Sequence, residues 1–177
     1  MTHRRIRRAG VPALVLASLL FGCAAWAQDT VASLRERIVD LQNKSTLGVR
    51  SLVMCRSVAT YGQYVRNDAR KAAAGSTVWF YYEPENVFTQ KDRDTYRIWY
   101  TQDIVVLGKD GKELLRSSEV LSFTHLGYSP VLDLYATNEL DLGELAPGEY
   151  RYRVILHDKL RGTDATAELA FTITAKV

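Results

Sequence analysis

Apolar residues recur every three or four positions over residues 30–43, and this spacing predicts an amphipathic α-helix. Asp29 or Thr30 can cap the start of this helix, and Gly48 lies beyond its end. The stripe spans only two heptads, which is too short for a stable coiled coil. Its members are Val31, Leu34, Ile38 and Leu41.

Beyond residue 46 the period changes towards two, which is typical of β-strands with one buried face. The clearest strands lie at 150–157 and 165–174, joined by a turn that contains Gly162. Other strands are predicted at 49–64 (one or two strands), 77–83, 95–107, 112–121 and 131–138, with a turn at 108–111 and a loop at 67–76 in which 72–74 can form a helical turn. This pattern predicts an all-β, antiparallel sandwich of about seven strands, with an antiparallel barrel as the structural alternative.

The first 27 residues form a separate unit, which we interpret as a signal peptide. A positive segment precedes an apolar run at 13–22, and Ala25-Trp26-Ala27 is the small-residue pattern of a cleavage site. Two alternatives stay open: a retained N-terminal anchor, or a lipid on Cys23, which follows a lipobox-like Leu-Phe-Gly. The domain division is therefore a signal peptide at 1–27, a helical segment at 28–46 and a β-domain at 47–177, in a periplasmic or secreted protein.

The net charge of +3 belongs to the leader. Four of the 23 basic residues are Arg4, Arg5, Arg7 and Arg8. Without residues 1–27 the chain has 19 basic residues and 20 acidic residues. The mature chain has a formal charge of −1, which gives no reason to expect nucleic-acid binding.

Two residues in the C-terminal part predict a turn, since Pro147 fixes φ and Gly148 can supply a positive φ in a type II turn. Tyr150 follows at the start of a strand, where its ring can be buried and its hydroxyl can bond the crossing chain. Residues 145–150 resemble the Leu-x-Pro-Gly-x-Tyr corner of immunoglobulin-like and fibronectin type III-like sandwiches, and 145–173 resemble the closing hairpin of secreted bacterial immunoglobulin-like domains. The resemblance implies an immunoglobulin-like sandwich and no activity, because such folds host many functions.

Candidate catalytic or metal-binding chemistry is sparse in the mature sequence. His125, His157 and Cys55 are far apart, and no H-x-H, C-x-x-C, H-E-x-x-H or G-x-S-x-G spacing occurs. We therefore interpret the histidines as surface imidazoles and Cys55 as a buried thiol, and we predict neither a cofactor nor a metal. An enzyme whose site assembles in space from these residues is the third functional hypothesis.

Aromatic residues are the feature that points to a ligand. Trp79 and Tyr81 share one face of a predicted strand, opposite Phe80 and Tyr82, and Trp99 lies on a later strand. If Trp79, Tyr81 and Trp99 are exposed, they can form a platform for a carbohydrate or cell-wall glycan. If they are buried in the core or under the helix, they are structural.

These observations favour a non-catalytic extracytoplasmic module that binds an envelope protein, with a carbohydrate or cell-wall binding module as the alternative. The helix has two possible roles. We expect it to cover apolar surface of its own domain, such as the Trp79–Tyr81 face, because docking within one chain loses no translational entropy. Otherwise it binds another envelope protein with an acidic rim, since the stripe is flanked by Arg35, Arg37 and Gln42. If the leader is cleaved, we expect membrane attachment only through a lipid on Cys23.

Overall fold

The computed structural model describes residues 30–143 and 145–176, so the predicted signal peptide, Cys23 and the predicted cleavage site lie outside the described residues. The described chain consists of one helix followed by ten strands, more than the roughly seven predicted. Their bounds are α1 Val31–Lys44, β1 Gly48–Thr60, β2 Gln63–Arg66, β3 Lys71–Ala73, β4 Thr77–Glu85, β5 Gln90–Asp92, β6 Thr95–Gly108, β7 Glu113–Gly127, β8 Ala136–Asp141, β9 Gly148–Asp158 and β10 Thr163–Thr174.

The strands form two sheets. A four-stranded sheet has the order β2-β1-β4-β8, and a six-stranded sheet has the order β3-β10-β9-β6-β5, with β7 paired to β6. The long hairpin β6–β7 turns at Gly108–Gly111, as predicted, and Gly111 has the positive φ of +82° that such a turn needs.

Side chains from both sheets share one hydrophobic core. Phe80 from β4 stacks on Tyr152 from β9 with ring centroids 3.8 Å apart and planes almost parallel. Phe171 from β10 meets the same Phe80 ring edge-on at 5.6 Å. Alternate residues of β4 and β9 therefore point into one shared interior, which leaves the residues between them on the outer faces of the two sheets.

Two sequence-based assignments are wrong in the segment 67–76. Ala72 and its neighbours do not form a helical turn, because Lys71–Ala73 is strand β3. This strand runs parallel to β10, with Ile173 opposite Ala72, so the prediction of an entirely antiparallel arrangement is also wrong. Tertiary pairing with the edge of β10 outweighs the helical propensity of three alanines.

Candidate functional site

Helix α1 is the candidate interaction site, and local sequence explains where it begins. Thr30 accepts a hydrogen bond from the Ser33 amide at 3.1 Å, and the Ser33 hydroxyl accepts one from the Thr30 amide at 2.9 Å. This reciprocal pair is a capping box, which satisfies two free amides of the first turn. The helix predicted over 30–43 is therefore observed over Val31–Lys44.

The apolar stripe of α1 faces away from the domain. Val31, Leu34, Ile38 and Leu41 are 67%, 42%, 45% and 58% exposed, whereas Val39, which lies outside the stripe, is 4% exposed. The expectation that the stripe covers its own domain is therefore wrong. The helix contacts the domain through the face that carries Val39, and polar bonds replace the apolar contact that the spacing predicted.

Two amide side chains attach the last turns of α1 to the segment between β4 and β5. Gln42 donates through Nε2 to the carbonyl of Val87 at 2.7 Å. Asn43 donates through Nδ2 to the carbonyl of Thr89 and accepts from the Thr89 amide through Oδ1, both at 2.9 Å. Both attachment points are buried residues, so the helix is held against a well-packed part of the domain.

Arg161, in the turn between β9 and β10, binds the C-terminal end of the helix. Its guanidinium donates to the carbonyls of Ser45 and Asn43 at 2.8 and 3.0 Å, and it lies over the ring of Phe88. A cation at this end also complements the helix dipole. Because the helix is fastened at its C-terminal half, the exposed stripe has a defined orientation.

Asp158 organises the segments that hold the helix, and the sequence analysis missed it. Its buried carboxylate accepts from the amides of Phe88 at 2.7 Å, Leu160 at 3.1 Å and Arg161 at 2.9 Å. It thus joins the β4–β5 segment to the β9–β10 turn. An Asp that ends a strand just before a turn was the available signal.

Basic residues border the exposed stripe of α1. At 100° per residue, Arg35 lies on one side of the stripe, and Arg37 and Lys44 lie on the other. None of these three forms an ion pair with another residue in the described part of the chain. By contrast, Glu36 lies on the domain side and pairs with Lys91. We use the name helix stripe for the surface formed by the four exposed apolar residues of α1 together with these three cations.

The structure does not bring the three candidate platform aromatics together. Trp79 is 38% exposed on the outer face of the four-stranded sheet, and Trp99 is 36% exposed on the outer face of the six-stranded sheet. Tyr81 is fully buried. These three rings therefore do not form a single flat platform. The Arg97 guanidinium lies 5.9 Å from the centre of the Trp99 ring.

Tyr81 is covered by other tyrosines and not by the helix. Tyr64 and Tyr135 lie over it with centroids at 4.3 and 5.8 Å. Its hydroxyl donates to Glu83 at 2.8 Å and accepts from the Gly62 amide at 2.8 Å. Burial raises the pKa of Tyr81 to about 12. The Tyr81 hydroxyl therefore connects the turn between β1 and β2 to strand β4.

Arg50 completes this cluster beside the buried carboxylate of Glu83. Arg50 Nε donates to Glu83 at 2.8 Å, and the hydrogen bond and charge of Glu83 raise the pKa of Arg50. Ser51, which has a φ of +57°, also donates to Glu83, at 3.3 Å. The pairing between β1 and β4 shifts at this point, so the cluster holds an irregularity in the sheet.

The Pro147–Tyr150 segment has the hydrogen bond that a tyrosine corner requires. The hydroxyl of Tyr150 donates to the carbonyl of Ala146 at 2.6 Å, and its ring stacks on Phe171 in the core. Gly148, however, does not have a positive φ, so the type II assignment is wrong. Gly148 instead begins β9 opposite Ile173.

The candidate catalytic residues lie in three different places. His125 is opposite Ile98 on the inner face of β6, while His157 is opposite Thr101 on the outer face. Cys55 is buried in the other sheet, and burial raises the pKa of its thiol. No group of three or more potential metal ligands occurs within residues 30–143 and 145–176.

Comparison with known proteins gives no family. No family model matches the chain, and no curated protein matches it. Among solved structures, it is similar to the Pseudomonas fluorescens alkylpurine DNA glycosylase AlkC bound to DNA containing an abasic site analog, with a TM-score of 0.43 and 11% identity over 81% of this chain and 36% of that one. It is also similar to the Bacillus subtilis sporulation control protein Spo0M, with a TM-score of 0.38 and 15% identity over 75% of this chain and 51% of that one.

The chain thus spans about a third and about half of these two proteins. Within the described residues, no helix has both the length and the apolarity needed to cross a membrane.

Proposed function

We propose that this protein is a non-catalytic, extracytoplasmic interaction module of a bacterial envelope, exported by residues 1–27, whose helix stripe binds another envelope protein. The proposed scaffold is an immunoglobulin-like sandwich made by the two sheets. The Phe80–Tyr152 stack and the Tyr150 corner support this description of the scaffold.

The observation that carries the proposal is the orientation of α1. A short helix is marginal in water, and an unattached one would not keep an apolar stripe in one direction. Here Gln42, Asn43 and Arg161 fasten the helix by polar bonds while the stripe stays outside. Fixing a binding element before it meets its partner lowers the entropy lost on binding.

The partner that this surface fits is an apolar groove with an acidic rim. The stripe runs about 15 Å from Val31 to Leu41, with anchors at the spacing that a groove-binding helix uses. Arg35, Arg37 and Lys44 favour carboxylates beside the groove, and they disfavour pairing with a second copy of the same helix.

The carbohydrate alternative has weaker support. Of its three aromatics, Tyr81 is buried, and Trp79 and Trp99 lie on different sheets. A glycan module would need a different set of rings from the one that the sequence suggested.

Site-specific photocrosslinking in the cells that produce the protein tests the proposal. A crosslinker at 34 or 38 should join one and the same envelope protein, whereas a crosslinker at 32 or 40, on other faces of the helix, should not. The purified partner should then bind the wild type, and Leu34→Asp with Ile38→Asp should abolish binding. Added salt should weaken binding through loss of the rim contacts.

The matched control is Val65→Asp, which places the same charge at a residue that is 54% exposed on β2. It should bind as the wild type does. Equal crosslinking from all four helix positions, or unchanged binding by the double variant, would show that the helix stripe is not the binding surface.

A further inference from the structure

The C-terminal half of β7 is a long sheet edge without a neighbour. Among the described residues β7 pairs with β6 alone, from Glu113 to Gly127. A shift in register at 118–120 divides it, where Glu119 has a φ of +51° and donates its amide to Asp103 at 2.9 Å. The stretch 121–127 beyond this bulge pairs with β6 without a further interruption.

The unpaired backbone groups of this stretch can be identified. Lys159 donates to the carbonyl of Trp99 at 3.0 Å, so the backbone groups of Trp99 face β9. Thr124 is opposite Trp99, and in an antiparallel ladder its N–H and C=O must therefore face away from β6. Ser122 and Leu126 lie two residues from Thr124 on the same strand, so their N–H and C=O groups also face away from β6. These three residues present the free hydrogen-bonding edge.

This edge lacks the charged residues that normally keep an exposed strand edge from pairing with another chain. Exposed edges usually carry a charged residue or a proline that opposes pairing with another chain. Residues 120–128 contain no Lys, Arg, Asp, Glu or Pro. The four other strands at sheet edges do contain charged residues: β2 has Arg66, β3 has Lys71, β5 has Lys91 and Asp92, and β8 has Glu139 and Asp141.

The outer face beside this edge carries several exposed apolar residues, with the exposed Arg97 opposite Leu126 on the same face. Leu126 is 67% exposed, Val120 is 42% exposed, and Tyr128, which follows the strand, is 82% exposed. Trp99 lies on the same face of the sheet, opposite Thr124. Isolated exposed apolar residues are ordinary, but a group of them along an unprotected edge marks an interaction surface.

We infer that two copies of this chain associate through antiparallel pairing of their 121–127 edges. The pattern is self-complementary. With Thr124 opposite Thr124 of the second copy, Ser122 lies opposite Leu126 of the second copy, and all outward N–H groups face outward carbonyls. No like charges meet across the two-fold axis, since 120–128 carries none. The two six-stranded sheets become one continuous sheet, and the exposed Leu126 side chain is brought beside the partner strand, with Trp99 one strand behind it.

The decisive variant is Thr124→Pro. It removes the central outward N–H but no bond to β6, so an edge strand tolerates it. Sedimentation velocity from about 1 to about 200 µM should show a reversible monomer–dimer equilibrium for the wild type and a monomer for Thr124→Pro. Thr124→Val keeps the N–H and should dimerise like the wild type. If Thr124→Pro does not fold, Leu126→Lys serves instead, because it places a cation on this edge and should also give a monomer.

A wild-type protein that stays monomeric over this range overturns the inference, whether or not the edge accepts a peptide from a different protein. A folded Thr124→Pro variant that still dimerises also overturns it. The double variant Leu34→Asp with Ile38→Asp should remain dimeric, because the helix stripe is not part of this interface. This result separates the dimer from the proposed helix-binding function, and either proposal can fail alone.

Discussion

Asn43 and Thr89 exchange two hydrogen bonds, from side-chain amide to backbone carbonyl and from backbone amide to side-chain oxygen, each 2.9 Å long. The amide group of Asn43 thus mimics a strand neighbour for the buried Thr89, and in doing so it fixes the last turn of α1. This pair explains how a helix without buried stripe residues keeps its place.

Asn43→Ala should release the helix without changing its exposed surface. The substitution leaves the amide and carbonyl of Thr89 without a partner, at a cost of about 1–3 kcal/mol. Hydrogen exchange of the α1 amides should become faster, and binding through the helix stripe should weaken. Asp40→Ala, at an exposed position of the same helix, is the control and should change neither. Unchanged exchange in Asn43→Ala would mean that other contacts hold the helix.

Tyr81→Phe should destabilise the four-stranded sheet. The missing hydroxyl leaves Glu83 with one acceptor oxygen unpaired and the Gly62 amide without its acceptor. We expect the free energy of unfolding to fall by about 1–3 kcal/mol in denaturant titration. Tyr135→Phe, at a residue that is 40% exposed, should have little effect. Equal effects of the two variants would contradict a structural role for the Tyr81 hydroxyl.

The spacing of apolar residues correctly predicted the elements in which one regular pattern runs through a continuous segment of the chain. The 3–4 spacing of α1 and the alternation over β9 and β10 are both present in the structure. The prediction failed where pairing decides the conformation, as at Lys71–Ala73, where the edge of β10 makes a strand from a segment with helical propensity. The full length of β7 was missed as well: the predicted strand ended at 121, and none of residues 122–127, which complete β7, is buried.

The four apolar residues of the helix stripe could be predicted from the sequence, but the orientation of the stripe could not. Spacing shows that an apolar face exists, and the usual expectation is that such a face is buried. The contacts that turn it outward come from Thr89 and Arg161, which lie 46 and 118 residues from Asn43. Polar bonds over such separations leave no periodic signal in the chain.

Tyr150→Phe should lower the stability of the domain by about 1–3 kcal/mol, because the hydroxyl is the donor to the Ala146 carbonyl. The ring still fills its place beside Phe171, so the loss isolates the hydrogen bond. Denaturant titration measures it, and Tyr128→Phe, at a residue that is 82% exposed, provides the control. An unchanged midpoint for Tyr150→Phe would show that the corner contributes nothing to stability.

Asp103 should make the domain sensitive to acid. Burial alone raises the pKa of Asp103, but the Glu119 amide, His157 and Arg116 outweigh it and hold the pKa below its ordinary value of 3.8. A carboxyl whose pKa is lower in the folded state stabilises the fold above its unfolded pKa, and this contribution is lost as the pH falls through the folded value. Asp103→Asn should therefore be less stable than the wild type at pH 7, and the difference should shrink below about pH 4. Thermal unfolding across this range measures the effect, with Asp92→Asn, at an exposed residue, as the control. A difference between wild type and Asp103→Asn that stays constant from neutral pH to below pH 4 would mean that the charge of Asp103 does not stabilise the fold.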